Sequence, residues 1–197
     1  MIIGIDPGHG GENLGCEAEG FVEKNYVLNL ADYLRHALRP FFFEVVVTRD
    51  WDTDVRLDER GKRTEGCEFV IVLHVNAFPG KPNIHGAEFY YLRGDEVAGK
   101  VAHVMARNTP EELRAGNLGG RVRTAFNDPT HDRDDWLQRP INVLEPHKCP
   151  TVLVEAFYAS NPADLQFGTS RTGRDQLVNC IVSGALRARH LLEKRCG

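Results

Sequence analysis

Short hydrophobic runs alternate along this chain with stretches in which hydrophobic residues recur every three or four positions. The runs at residues 1–6, 43–48, 69–74, 86–92, 141–144 and 151–155 are apolar, β-branched or aromatic, and they predict six strands. Helical spacing predicts four helices, one from Lys24 to the break at Pro40 and others over residues 55–65, 96–108 and 174–194.

The alternation of strands and helices indicates the fold class. It predicts an α/β structure in which a mainly parallel, twisted sheet is flanked by helices. Neither a repeat nor a linker interrupts residues 1–197, so we expect one layered domain. In such sheets functional groups gather at the carboxyl ends of the strands, and we expect the active site there.

A polar stretch at residues 109–139 is longer than the usual connection within a compact domain. It contains Gly119-Gly120 and Asp128-Pro129, and further charged residues follow. Loops of this length are commonly functional. We therefore expect this stretch to border the site and to contact the substrate.

The composition excludes several classes of partner. The chain has 24 Lys and Arg against 28 Asp and Glu, a net charge of −4, whereas nucleic-acid or membrane-surface binding would favour a basic excess. No apolar run is long enough to enter a membrane as a span, and the first residues lack the features of a secretory signal. The five cysteines are scattered and predict reduced, mostly buried thiols. We expect a monomer that is synthesised in the cytoplasm.

Three polar residues stand at the predicted carboxyl ends of strands. His9 follows the first strand in Asp6-Pro7-Gly8-His9-Gly10-Gly11, His74 ends the third, and Glu155 ends the last. Each has an ordinary interpretation when taken singly: a loop histidine, a buried histidine bonded to a carbonyl, and a carboxylate paired with an arginine. Glu23 has one too, because an acid at the start of a helix favours the helix dipole.

The glycine-rich loop around His9 also has to be weighed as a phosphate-binding loop. The dinucleotide-binding pattern requires a glycine where this chain has Asn13. No Gly-Lys-Ser/Thr follows, so the P-loop pattern is absent as well. A nucleotide site is therefore disfavoured.

As a set, the four side chains favour a metal centre. Two histidines and one carboxylate that leave a fourth position open are typical ligands of a catalytic zinc ion, and a second, free carboxylate is the usual base. Ligands of this kind without a thiolate suit zinc better than copper(I) or an iron–sulfur cluster. Burial of Glu155 among valines and leucine would raise its pKa, as a general base requires.

The order of motifs along the chain resembles the zinc-dependent N-acetylmuramoyl-L-alanine amidases of the amidase 3 type, which occur among bacterial cell-wall hydrolases and phage endolysins. The matching segments are Ile5-Asp6-Pro7-Gly8-His9-Gly10-Gly11, Glu23-Lys24, Thr48-Arg49, Asp52, Leu57, Glu59-Arg60, His74-Val75-Asn76-Ala77, Gly86-Ala87-Glu88, Val143-Leu144, residues 150–155 and Ser160-Asn161-Pro162. Because several motifs occur in the family's order over nearly the whole chain, the resemblance is far more specific than any single motif.

The resemblance implies a site and a reaction. His9, Glu23 and His74 would bind one zinc ion per chain, and Glu155 would be the catalytic glutamate. The substrate would be peptidoglycan, cleaved at the amide between N-acetylmuramic acid and L-alanine in lysis or remodelling of the cell wall. Asp6 and Asn76 are candidates for holding the histidine tautomers. We expect no separate wall-binding domain.

Three positions depart from the family pattern. Val72 stands where a serine is frequent, Glu65 where an asparagine is common, and Phe157 where a glycine often follows the catalytic glutamate. None of them removes a proposed ligand. Phe157 is expected to lie near the site and to reshape the cleft, with more effect on substrate preference than on activity.

Two other functions stay open at this point. A zinc peptidase or deacylase could use the same ligands on a different amide. A non-catalytic wall-binding or regulatory module is disfavoured, because such a domain would have lost a ligand or the base. The absence of a signal fits a phage endolysin that reaches the host wall through a membrane hole, and equally a bacterial enzyme whose export segment was removed.

Overall fold

The computed structural model describes residues 1–115, 120–125 and 142–194. The strands are β1 Ile2–Pro7, β2 Glu17–Ala18, β3 Phe21–Val22, β4 Glu44–Val47, β5 Phe69–Asn76, β6 Glu88–Leu92, β7 Arg121–Ala125 and β8 Thr151–Tyr158. The helices are α1 Glu23–Leu38, α2 Leu57–Arg63, α3 Glu96–Arg107, α4 Pro162–Thr169 and α5 Arg171–Glu193.

In the described part of the chain, six strands form one sheet in the order β4-β1-β5-β8-β6-β7. The pairs β4–β1, β1–β5 and β5–β8 are parallel, which confirms the prediction of a mainly parallel sheet. β6 pairs antiparallel with β8 and parallel with β7. The beginnings of β6 and β7 therefore lie at the same edge as the carboxyl end of β8.

Hydrophobic side chains cover the two faces of the sheet unequally. The larger core joins one face to α1, α3 and α5, and its fully buried members include Ile71, Leu34 and Ile181. The smaller cluster on the other face includes Val72 and Leu144. Successive residues of a strand point to opposite faces of the sheet. Side chains on the face opposite the helices are therefore free to form a functional site.

The sheet and the four predicted helices are present, and the differences have local causes. Residues 142–144 form a turn rather than a strand, so that prediction is wrong for them, and residue 141 lies outside the described part. Their apolar character is explained by Leu144, which is buried in the smaller cluster. Helix α4, strand β7 and the short β2–β3 hairpin were not predicted.

The polar stretch at residues 109–139 is only partly described. It contains a 3-10 turn at Glu111–Leu113 and strand β7, whereas residues 116–119 and 126–139 lie outside the described part. Cys16, Cys67, Cys149 and Cys180 are free thiols that are buried or partly buried, as expected. Among the described helices, none combines the length and the hydropathy of a membrane span.

Candidate active site

A short, glycine-rich loop after β1 places His9 at the carboxyl end of that strand. His9 itself adopts a positive φ of 59°, in the left-handed region that is uncommon for residues other than glycine. Gly8 before it has no room for a side chain, since a Cβ there would lie 2.3 Å from the His74 ring. The glycine-rich segment therefore allows the two imidazoles to approach each other.

Two buried arginines hold the backbone of this loop. Arg49 donates from Nε to the Pro7 carbonyl (3.0 Å) and from Nη2 to the Gly8 carbonyl (2.7 Å). Arg60 donates from Nη1 to the Pro7 carbonyl and from Nη2 to the His9 carbonyl, both at 2.7 Å. The Thr48-Arg49 and Glu59-Arg60 motifs thus contribute the guanidinium groups that fix the position of His9.

Arg60 is itself anchored by a buried carboxylate at the end of β1. Its Nη1 lies 2.6 Å from Asp6 Oδ1, which also accepts a hydrogen bond from Thr48 Oγ1. On the other side, His147 Nε2 lies 3.4 Å from Asp6 Oδ2. Burial would raise the pKa of Asp6, but His147, Arg60 and Thr48 together hold this pKa below its usual value.

Glu23 is the first residue of α1, and backbone amides fix its carboxylate. Oε2 accepts from the Cys16 N–H at 2.8 Å, and Oε1 accepts from the Val75 N–H at 2.9 Å. A Cβ on Gly15 would come within 2.5 Å of Oε2, so the chain can wrap this closely only at glycine. Burial would raise the pKa of Glu23, but the adjacent imidazoles hold it well below its ordinary value.

His9 and His74 both point a ring nitrogen at the same oxygen. His9 Nε2 lies 3.0 Å and His74 Nδ1 lies 2.9 Å from Glu23 Oε1. The ring centroids of the two histidines are 4.7 Å apart in an edge-on arrangement. Burial would lower the pKa of His9, but the hydrogen bond and the charge of Glu23 raise it overall.

These three side chains fit a metal ion. One donor atom from each lies within 4.8 Å of the other two, and two imidazole nitrogens with one carboxylate oxygen form the donor set of a catalytic zinc centre. A tetrahedral zinc ion with bonds of about 2.0–2.1 Å requires donor separations of about 3.3 Å, close to the 3.0 Å and 2.9 Å that separate the two histidine nitrogens from Glu23 Oε1. The structure thus brings together three residues that could hold a metal, as the sequence predicted.

The groups that orient the histidines differ from those predicted. His9 Nδ1 pairs with Asn13 Oδ1 at 2.9 Å, which leaves Nε2 directed at Glu23. Asp6 contacts Arg60 and His147, and the Asn76 amide lies 3.4 Å from Glu88 Oε2, so the expectation that either residue orients His9 or His74 is wrong. Asn13 lies in a tight turn in which Gly10 and Asn13 exchange backbone hydrogen bonds. This turn brings its side chain back to His9, and the sequence alone carries no clear signal of that contact.

Four side chains form a row across neighbouring strands. His74 on β5 is paired in register with Glu155 on β8, and Glu155 is paired with Glu88 on β6. Glu88 in turn is paired with Arg121 on β7. Since directly paired residues point to the same face of a sheet, a candidate ligand, the candidate base, a second carboxylate and an arginine lie side by side.

Glu155 is the carboxylate of this row whose oxygen is left without a partner. Oε2 is shielded from solvent and has no hydrogen-bond partner among the described residues. Burial raises the pKa of Glu155 well above its usual value, and the charges of Glu23 and Glu88 add to the shift. A carboxyl group with a raised pKa and an oxygen without a partner is suited to accepting a proton and passing it on.

Glu88 has the opposite environment and was not predicted as a site residue. It is buried, and its Oε1 lies 2.9 Å from Arg121 Nη1 and 3.1 Å from Arg123 Nη2. Its Oε2 accepts from Tyr90 Oη. Burial would raise the pKa of Glu88, but these partners lower it, so Glu88 stays ionised. The motif Gly86-Ala87-Glu88 belongs to the family resemblance, but no function for Glu88 followed from the sequence.

The Ser160-Asn161-Pro162 motif anchors the segment that leads into β6. Ser160 Oγ accepts from the Phe78 N–H at 2.9 Å, and Asn161 Nδ2 donates to the Pro82 carbonyl at 2.7 Å. Asn161 also caps α4 by accepting from the Asp164 N–H. The motif therefore fixes the chain beside the row of side chains.

Phe157 lies away from this row, contrary to expectation. A register shift between β5 and β8 follows the His74–Glu155 pair, and Phe157 is fully buried in the helical core. Its ring lies 5.8 Å from that of Phe21 and 5.2 Å from that of Tyr26, measured between centroids. The departure at this position therefore changes the packing of α1 and α4 rather than the cleft.

Comparison with known proteins identifies the family. A family model described as N-acetylmuramoyl-L-alanine amidase matches residues 3–187. The chain belongs to this family. All the candidate ligands and Glu155 lie inside the matched residues. The chain is also similar to a solved amidase-family structure, the N-acetylmuramoyl-L-alanine amidase AmiC2 of Nostoc punctiforme, with a TM-score of 0.78 and 24% identity over 96% of this chain and 97% of that one.

Curated relatives of the amidase family are similar over most of this chain. The probable cell wall amidase LytH of Staphylococcus saprophyticus is 29% identical over 94% of this chain and 57% of its own length. The N-acetylmuramoyl-L-alanine amidase AmiC of Neisseria meningitidis serogroup B is 26% identical over 94% of this chain and 52% of its own length. The chain thus spans little more than half the length of these two amidases.

Proposed function

We propose that this chain hydrolyses the amide bond between N-acetylmuramic acid and L-alanine in peptidoglycan. The observation that carries the proposal is the His9–Glu23–His74 cluster beside Glu155, whose buried Oε2 lacks a partner among the described residues. Membership of the amidase family supports the choice of bond. The relative named as a probable cell wall amidase supports action on the cell wall.

His9, Glu23 and His74 are proposed to hold one zinc ion per chain, with nitrogens Nε2 and Nδ1 of the histidines and an oxygen of Glu23 facing it. When bound, the metal supplies Lewis acidity, which acidifies water and polarises a carbonyl group. The Glu23 carboxylate is held in position by its amide hydrogen bonds and kept ionised by the adjacent imidazoles, and Asn13 keeps His9 in the tautomer that presents Nε2. Both features prepare the donors before a metal arrives.

Glu155 is proposed to move the proton. Its carboxylate accepts a proton from the water that attacks the amide carbonyl, and its carboxylic acid then donates that proton to the leaving nitrogen of L-alanine. Burial supports this role, because it raises the pKa of the group and so makes the carboxylate a stronger proton acceptor. The neighbouring Glu88 cannot take this role, since its oxygens are engaged by Arg121, Arg123 and Tyr90.

The proposed setting follows from this chemistry. The substrate is the cell wall, and the chain acts there as a single catalytic unit without inserting into a membrane. A monomer satisfies the site, because all four proposed residues come from one chain.

The experiment is to measure new amino-terminal L-alanine released from purified peptidoglycan, with and without a chelator and after zinc is added back. We expect the termini to appear, to vanish with the chelator and to return with zinc. A protein that holds one zinc per chain but releases no such termini would show that the bond is wrongly assigned. A peptidase or deacylase function would then take precedence.

A further inference from the structure

The row of paired residues continues past the catalytic carboxylate to two arginines. Arg121 and Arg123 alternate along β7 and therefore project to one face of the sheet, the face that carries Glu155 and Glu88. Arg121 is 37% exposed and Arg123 is 26% exposed, whereas Glu88 beneath them is 1% exposed. The guanidinium groups thus cover a buried carboxylate while part of each remains open to solvent.

The arginines carry more charge and more donors than Glu88 uses. Two guanidinium groups contact a single carboxylate oxygen, so one positive charge is in excess within this contact. The phenols of Tyr90 and Tyr158 do not offset it, because burial and Glu88 raise both of their pKa values. Arg123 Nε is shielded and has no hydrogen-bond partner among the described residues.

Glu88 gives these arginines a fixed position. A buried carboxylate that receives bonds from two arginines and from Tyr90 holds the guanidinium planes in place before a ligand arrives. A fixed guanidinium group binds a carboxylate through paired N–H donors at little further cost in side-chain freedom. The arrangement is therefore suited to recognising an anionic group.

From these contacts we propose that Arg121 and Arg123 form a subsite for a free carboxylate on the peptide stem of the substrate. The inference rests on the proposed function, because the peptide stem lies beside Glu155 only if the amide between N-acetylmuramic acid and L-alanine is the bond that binds there. Arg121 lies two strands from Glu155, a backbone separation of about 10 Å. An extended peptide covers this distance in about three residues. The second residue of the stem lies within this reach, and we assign the carboxylate to it.

The test compares two substrates that differ in one group. N-acetylmuramoyl-L-alanyl-D-glutamine has a free α-carboxylate on its second residue and no other carboxylate, and in its α-amide that carboxylate is replaced by an amide. We expect kcat/KM to be about tenfold higher for the carboxylate, mainly through KM, because a partly exposed charged hydrogen bond is lost with the amide. Equal values for the two substrates in the unaltered protein would overturn the subsite.

Variants assign the preference to its residues. Arg121→Gln is expected to reduce the tenfold ratio to about twofold, and Arg121→Lys, which retains the charge beside Glu88, to give an intermediate ratio. The matched control is Arg107→Gln, which removes the same charge from an exposed position at the end of α3. A ratio that stays at tenfold in Arg121→Gln, or that falls equally in Arg107→Gln, would contradict the assignment.

A binding measurement separates this inference from the proposed function. The peptide L-alanyl-D-glutamine and its α-amide are titrated into the unaltered protein and into Arg121→Gln by calorimetry. Tighter binding of the first peptide that depends on Arg121 supports the subsite even if neither muramoyl peptide is cleaved, and then only the proposed reaction fails. Cleavage without discrimination by either assay leaves the reaction standing and overturns the subsite.

Discussion

Glu155 and Glu88 are directly paired residues on the antiparallel strands β8 and β6, yet their carboxyl groups have opposite properties. Glu155 has an oxygen without a partner and a raised pKa, whereas Glu88 is bound by two arginines and has a lowered one. One strand spacing therefore separates a group suited to proton transfer from a group suited to anchoring positive charge.

Replacing Glu155 by Gln removes the proton acceptor and keeps the shape of the side chain. We expect the release of L-alanine termini to fall by a factor of about 100 to 10,000, the usual contribution of general acid–base catalysis. Zinc content measured by atomic absorption should stay at one per chain, because Glu155 is not a proposed ligand. Glu193→Gln, at the exposed end of α5, serves as the control. Full activity of Glu155→Gln with bound zinc would refute its role.

Substitutions around the metal cluster should weaken zinc binding in a definite order. Asn13→Ala removes the partner of His9 Nδ1 and is expected to reduce zinc affinity by about 10–100-fold. Glu23→Gln removes a proposed ligand and should cost more than that. The control Glu17→Gln changes an exposed residue of the nearby β2 and should leave the affinity as it is. Affinities from competition with a chromogenic chelator would check the order, and a smaller loss in Glu23→Gln than in Asn13→Ala would contradict it.

Arg60→Gln should destabilise the fold as well as the site. The substitution leaves Asp6 as a buried charge without its main cation, and breaking a buried ion pair in this way costs about 3–5 kcal/mol. Arg56→Gln is the matched control, because Arg56 lies only four residues away and is 85% exposed. Its effect should stay within about 0.5 kcal/mol. Urea unfolding measures both changes, and similar values for the two variants would show that the buried pair is not the cause.

Acidification should remove the stabilisation that Asp6 provides. Because the folded pKa of Asp6 lies below its unfolded value of about 3.9, its ionised form stabilises the protein at pH values above the unfolded pKa. This contribution is lost as the pH falls through the folded pKa, since the unfolded chain then binds the extra proton first. The free energy of unfolding of Asp6→Asn should therefore be lower than that of the unaltered protein at pH 7, and the difference should shrink below about pH 4. A stability difference that grows on acidification would show that ionised Asp6 does not stabilise the folded protein.

Phe157→Ala tests whether this position shapes the cleft or the core. The ring is fully buried against Phe21 and Tyr26, and a Cβ on Gly168 would lie 2.4 Å from it. We expect a loss of about 3–5 kcal/mol in the free energy of unfolding. In the folded fraction, relative kcat/KM for different muramoyl peptides should stay unchanged. Phe42→Ala, at a side chain that is 93% exposed, is the control for stability. A changed substrate preference would show that Phe157 does shape the substrate cleft.

The candidate ligands were predictable because each stands where a hydrophobic run ends or a helix begins. His9, His74 and Glu155 follow apolar runs, and parallel strands bring such ends to one edge. Glu88 begins its strand instead, and nothing in the local pattern of β6 reveals that this strand runs in the opposite direction. The row that joins Glu88 and Arg121 to Glu155 therefore depends on tertiary pairing, which periodicity cannot show.

The packing on the helical face of the sheet was easier to predict than the packing on the opposite face. Helices α1, α3 and α5 each present a periodic apolar stripe, so their burial is visible in the sequence. Val143 and Leu144 are apolar because a turn covers the smaller cluster, and a run of this length is equally typical of a short strand. Tertiary burial, rather than secondary structure, accounts for the pattern there.

The reversed direction of β6 also affects how the cleft can diversify. The segment at residues 77–87 enters β6 at the reactive edge and is held mainly by Ser160, Asn161 and Asp164, outside the proposed metal ligands. Insertions or exchanges in this segment would alter what lies beside Glu155 while leaving the pairing of β5 with β8 in place. The catalytic residues and the segment beside them therefore lie on separate parts of the sheet. A change in substrate preference can arise in this segment without a change in the catalytic residues.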